Sequence, residues 1–116
     1  MNAPILSLIN LNKRISKFFK LSNINIDFYP GKICALVGEN GSGKSSLMKI
    51  ISGIFYPDSG EIIFNNQSVK FNSIYDSKKL GIYYVPQETS LFDNLTVAEN
   101  IFISSISFYI FTLSPC

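Results

Sequence analysis

The sequence predicts an α/β fold, and three observations carry that expectation. Apolar runs of strand length, Ile33-Cys34-Ala35-Leu36-Val37 and Ile82 to Val85, stand apart from segments with helical periodicity. Leu47, Ile50, Ile51 and Ile54 recur at i, i+3, i+4 and i+7, the stripe of one buried helix face. Between the first strand and that helix lies Gly38-Glu39-Asn40-Gly41-Ser42-Gly43-Lys44-Ser45, which fits G-x-x-x-x-G-K-[ST]. Strand, loop and helix in that order are the context of the phosphate loop of nucleoside triphosphatases.

The other elements follow along the chain. Leu6, Leu8 and Leu11 suggest a first strand. Ile24, Ile26 and Phe28 alternate as a second, closed by the Pro30-Gly31 turn. Gly53 is placed to stop the helix after the loop, and Tyr56-Pro57-Asp58-Ser59-Gly60 reads as a turn. Ile62-Ile63-Phe64 and Val69-Lys70-Phe71 flank Asn65-Asn66, and asparagine tolerates the left-handed backbone of a tight hairpin. Ser73 with Asp76, and Thr96 with Glu99, are capping-box starts for two further helices, the first ended by Gly81.

Composition narrows the class. The 116 residues suit one domain with a real core, and 47% hydrophobic against 16% charged residues excludes a disordered chain. A net charge of +2 gives no reason to expect nucleic acid or a membrane surface. Cys34 sits in an apolar run and Cys116 is the last residue, so no disulfide framework is expected and a reducing, cytoplasmic setting fits. The most apolar stretch, Ile101 to Leu113, is shorter than the roughly 20 residues a helix needs to span a bilayer.

The loop residues explain the chemistry expected of them. Gly38, Gly41 and Gly43 let the backbone wrap so that N–H groups, with those of Glu39, Asn40, Ser42 and Ser46, face phosphate oxygens. The helix dipole points its positive end at the same anion. Lys44 supplies a point charge for the β- and γ-phosphates, and the Ser45 hydroxyl is the expected protein ligand of Mg²⁺.

Four blocks in order resemble one family. They are Gly38 to Gly53, Pro57-Asp58-Ser59-Gly60-Glu61-Ile62, Val85-Pro86-Gln87-Glu88, and Leu95-Thr96-Val97-Ala98-Glu99-Asn100-Ile101. From about Leu6 to Ile103 the chain resembles the N-terminal half of an ATP-binding cassette (ABC) ATPase, most of all the sugar-importer group. Pro86 stands where that group often has histidine.

The resemblance implies a fold and roles. The fold is a phosphate-loop ATPase domain, with an N-terminal antiparallel β part followed by the start of a parallel-sheet core. Gln87 matches the glutamine that contacts Mg²⁺ or the attacking water and relays nucleotide state to membrane subunits. Phe19, ahead of Phe18, matches the aromatic that stacks on adenine, whose π-face suits a ring. The implied ligands are ATP and Mg²⁺. The implied partners are a second ATPase domain and membrane-spanning permease subunits, at the inner face of the cell membrane.

Other family features are absent from these residues. There is no Leu-Ser-Gly-Gly-Gln loop, no apolar run ending in Asp-Glu, and no histidine. Those groups complete the Mg²⁺ shell and orient water in phosphoryl transfer. The expectation is therefore a domain truncated after the Gln87 region, with residues 1–103 its N-terminal part and residues 104–116 a divergent tail from a frameshift or truncation. Such a chain is expected to bind nucleotide better than it hydrolyses it, and to expose apolar strand edges. The readings left open are an importer ATPase, most simply for a sugar, an inactive remnant of one, and a non-transport ABC ATPase. A phosphate-loop kinase is disfavoured, because the only arginine, Arg14, precedes the loop.

Overall fold

A computed structural model describes residues 3–86 and 91–102, which divide after Tyr84 into two compact units. The first unit holds strands β1 (Leu6–Arg14), β2 (Lys20–Phe28), β3 (Ser59–Phe64) and β4 (Gln67–Val69), with helices α1 (Lys44–Ile51) and α2 (Ile74–Lys79). The strands form one antiparallel sheet in the order β2-β1-β3-β4.

Strand β1 shows why its leucines are unevenly spaced. Leu6 and Leu8 face the core, as period-2 alternation requires. Asn10 then takes a left-handed φ of 47°, and the pairing shifts between Leu8 and Leu11. That extra residue is a bulge, and it returns Leu11 to the buried face. Strand β2 answers with Asn23 at φ 49°, after which Ile24, Ile26 and Phe28 take over from Leu21 in facing the core. Side chains lock the two irregularities together. The Asn10 N–H donates to Asn25 Oδ1 at 2.9 Å, and the Asn23 N–H donates to Asn12 Oδ1 at 2.8 Å. On the other side of β1, Gly60 of β3 lies against the bulge with φ 94°. A Cβ there would sit 2.6 Å from Leu11 Cα and closer still to the Asn10 carbonyl oxygen.

The expected hairpin forms. Asn65 and Asn66 have φ of 49° and 63°, and Phe64 pairs directly with Gln67. Pairing therefore resumes at Gln67 and not at Val69, and Phe71 leaves the strand to enter the core.

Leu47, Ile50 and Ile51 of α1 join Leu6, Leu8, Leu11, Leu21, Ile62 and Phe71 in one buried cluster. Helix α1 stops as Gly53 suggests. With Gly53 at φ 85°, its N–H donates to the Ile50 carbonyl and the Ile54 N–H to the Lys49 carbonyl. Ile54 thus falls beyond the helix and is exposed. Helix α2 ends in the same way at Gly81. The capping box expected at its start does not form: Ser73 makes no side-chain cap, and Asp76 accepts at 2.8 Å from the N–H of Asn72, the residue before the N-cap, instead of from that of Ser73. The buried Ser77 hydroxyl donates to the Ser52 carbonyl and ties α2 to the end of α1.

Two expected strands are corrected. Residues 33–37 and 82–85 make no strand pairing among the described residues. Ile33, Val37, Tyr83 and Val85 are exposed. A strand exists only through a neighbour's hydrogen bonds, and an apolar run without one cannot complete a ladder. The antiparallel part of the expected fold is complete, while its parallel part has no paired strands among the described residues.

In the second unit, helix α3 spans residues 97–102. Here the capping box is whole. Thr96 Oγ1 accepts from the Glu99 N–H at 3.2 Å, and Glu99 Oε2 accepts from the Thr96 N–H at 3.4 Å. The Asn100 amide secures the preceding turn by bonding both backbone groups of Phe92.

Candidate functional site

The loop's shape comes from its glycines and its lysine. Gly41 has φ 81° and Gly43 φ 94°, conformations that side chains rarely adopt. Gly43 is also closely packed. A Cβ on it would lie 2.7 Å from Leu21 Cδ2 and 2.9 Å from Phe19 Cζ. At Gly38 a Cβ would meet Ser42 Oγ at 2.8 Å. The Lys44 ammonium turns back over the loop, donating to the carbonyls of Gly38 and Glu39, the latter at 2.7 Å, and approaching Ser42 Oγ at 3.3 Å. The Ser42 N–H donates to the Glu39 carbonyl at 3.2 Å and closes the turn.

The arrangement suits an anion. Gly43 is the N-cap of α1 and carries no side chain, so no protein oxygen caps the helix. The first N–H groups of a helix have no intrahelical partner, and here they are those of Lys44, Ser45 and Ser46. Their partial positive charge adds to that of Lys44, and no acidic residue lies in the first turn to oppose it. Ser45 is exposed at the helix start, where a hydroxyl can join a cation's oxygen shell. The donor set therefore fits a nucleoside triphosphate with Mg²⁺.

The structure brings Gly38, Glu39, Asn40, Gly41, Ser42, Gly43, Lys44, Ser45 and Ser46 into one exposed turn and helix start. Phe19 lies beside it, half-buried against Gly43, whereas Phe18 is 92% exposed and points away from the core cluster. Gln87 and residues 104–116 lie outside the described residues. Sequence reasoning missed Leu21, which walls Gly43 together with Phe19. Its only signal is that it begins a strand whose core-facing positions lie two residues apart, before the Asn23 bulge disturbs them.

Asp58 braces the turn ahead of β3. Its Oδ2 accepts from the Arg14 N–H at 2.8 Å, and its Oδ1 lies 3.4 Å from Lys13 Nζ. The Arg14 N–H, followed by Lys13, holds the Asp58 carboxyl below its ordinary pKa, against the opposing effect of desolvation. A cleft of about 300 Å³ opens beside this turn, lined by residues that include Tyr56, Asp58, Glu61 and Lys70, and none of its lining residues belongs to the phosphate loop.

Comparison with known proteins gives a consistent likeness. A family model described as "ABC transporter" matches residues 21–114. The chain is 44% identical over 100 residues to the ribose import ATP-binding protein of Jannaschia sp. (strain CCS1), covering 86% of this chain and 19% of that protein. The chain spans about a fifth of the length of the curated relatives it matches. Among solved structures it is similar to a nucleotide-free ATP-binding cassette from an ABC transporter, at 30% identity and a TM-score of 0.65, over 73% of this chain and 35% of that one. It is also similar to a dimeric ATP-binding cassette in a post-hydrolysis state bound to ADP and Pi, at 28% identity and a TM-score of 0.66, over 88% of this chain and 47% of that one.

Proposed function

The chain belongs to the ABC transporter family, and from that premise we propose that residues 38–46 hold Mg·ATP for an ATPase that drives import across a membrane. The observation that supports this most directly is the uncapped start of α1 beside Lys44 and Ser45. Residues 1–103 are the N-terminal part of the ATPase domain in this reading. Lys44 would release its own loop carbonyls to pair with the β- and γ-phosphates, and the α1 N–H groups would fix the phosphate chain. Ser45 would hold Mg²⁺, with Gln87 as a second contact, and the bound ion would neutralise charge developing in phosphoryl transfer. Phe19, set beside Gly43, is the aromatic proposed for adenine.

The names of the relatives support a reading of the cargo. Those matched at 41–51% identity are named as ribose import ATP-binding proteins, so we assign this chain to sugar import. Its partners in that role are a second ATPase domain and membrane-spanning permease subunits, which place it on the cytoplasmic side. Among the described residues no helix is long and apolar enough to cross a membrane.

Calorimetry of the purified chain with Mg·ATP tests the site. Binding is expected, and Lys44→Ala should weaken it by on the order of a hundredfold, the loss of a charge-assisted phosphate contact. Equal affinity in the two proteins would overturn the assignment. Import is tested separately. Deleting the gene should abolish uptake of a sugar, ribose first, and unchanged uptake across pentoses and hexoses would remove the cargo from the proposal.

A further inference from the structure

We propose that Asn40 is a site of spontaneous deamidation that switches off the phosphate loop. The consequence for nucleotide rests on the Mg·ATP reading above, while the chemistry at Asn40 does not. Asn40 is the only asparagine in the sequence followed by glycine. It is exposed, and it lies in the turn that opens the loop. Gly41 brings no side chain to shield the junction, and the space around its Cβ position is open to 4 Å. The loop's hydrogen bonds run through Lys44 and from Ser42 to Glu39. None among the described residues ends on the Asn40 side chain or the Gly41 N–H.

Other asparagines differ on these counts. Asn10, Asn12, Asn23 and Asn25 are bound into the β1–β2 network, and the Asn100 amide is held by the turn before α3. Each is also followed by a residue with a side chain, which crowds attack on the preceding amide.

The step balances with water alone. The Gly41 backbone nitrogen, losing its proton, attacks Cγ of Asn40. The N–Cγ bond forms, the Cγ–Nδ2 bond breaks, and Nδ2 leaves as ammonia. Water then opens the cyclic imide at one carbonyl or the other. The product is aspartate, or isoaspartate with the main chain rerouted through the side chain. Both place a carboxylate in a turn whose neighbouring N–H groups and Lys44 are arranged for an anion. Isoaspartate also lengthens the backbone by one carbon between Glu39 and Gly41.

The test is peptide mapping by mass spectrometry of the full chain, aged at mildly alkaline pH with and without Mg·ATP. Asn40 is expected to convert ahead of every other asparagine, and Gly41→Ala to slow it by on the order of tenfold through steric crowding. Conversion at Asn40 no faster than at Asn66 or Asn72 would overturn the site. The consequence is read by calorimetry on Asn40→Asp, the direct product. Its Mg·ATP affinity should fall by on the order of tenfold from charge repulsion, and unchanged affinity would overturn the switch. If the unmodified chain binds no Mg·ATP, the nucleotide reading fails and the switch with it, whereas the mass map still decides whether Asn40 is the modified residue.

Discussion

Alanine at Gly41 and at Gly43 separates two costs that the phosphate loop combines. Both glycines have positive φ, 81° and 94°, so each alanine meets backbone strain of about 1 kcal/mol. Gly41 has open space around it, and strain is its whole cost. At Gly43 the new methyl would lie 2.7 Å from Leu21 Cδ2 and 2.9 Å from Phe19 Cζ. Both contacts are side-chain ends, so they yield, but Leu21 is buried in the core cluster and has little room. Overpacking of this kind costs about 1–3 kcal/mol. Gly43→Ala should therefore destabilise by about 3 kcal/mol, and Gly41→Ala by about 1 kcal/mol. Urea unfolding reads the difference directly. With a slope of about 2 kcal/mol per molar, the two midpoints should lie about 1 M apart. Equal midpoints, or the lower one at Gly41→Ala, would refute the claim that Phe19 and Leu21 wall the start of α1.

Other outcomes follow from single contacts. Ser77→Ala removes the donor to the Ser52 carbonyl and leaves a buried acceptor unpaired, which should cost about 1–2 kcal/mol in chemical unfolding. Gly60→Ala sets a methyl against the backbone of β1 at a positive φ, and should cost more than Gly43→Ala because backbone atoms cannot yield as side-chain ends do; a smaller loss would contradict the bulge geometry. Thr96→Ala breaks the α3 capping box and should cost that helix about 1 kcal/mol, seen as faster amide exchange at Glu99. The Asp58 carboxyl titrates lower in the folded chain than in the unfolded one. Its stabilising contribution is thus present above the ordinary carboxylate range and is lost as pH falls through the lowered folded value. An NMR titration of Asp58 should show that lowered midpoint, and an ordinary value would refute the Arg14 contact.

Local patterns in the sequence carried the loop, α1 and its glycine stop, the Asn65-Asn66 hairpin and the Thr96–Glu99 cap. Each depends on residues a few positions apart, whose periodicity or turn chemistry acts locally. The strands expected at residues 33–37 and 82–85 were not decided locally. Apolar content favours a strand, but only a hydrogen-bonded neighbour makes one, and neighbours are set by the whole sheet. The same limit hid the walls of Gly43. Phe19 and Leu21 precede it by more than twenty residues, and their contact with it depends on how β2 lies against α1. For Gln87, sequence supplies a motif position alone, since it lies outside the described residues.

The asparagine pairs on β1 and β2 also bear on how this chain can change length. Each bulge inserts one residue, and the two are joined through Asn10–Asn25 and Asn12–Asn23. Because Asn10 is itself the extra residue of β1, deleting it would set Leu11 two positions after Leu8 and leave it facing the core, and deleting Asn23 would do the same for Ile24 after Leu21. Either deletion straightens one strand without turning a side chain over, at the cost of one hydrogen bond, Asn10 to Asn25 or Asn23 to Asn12. The two strands can therefore each lose a residue independently, and the asparagine bonds between them fix the fit of the bulges and not the facing of the leucines.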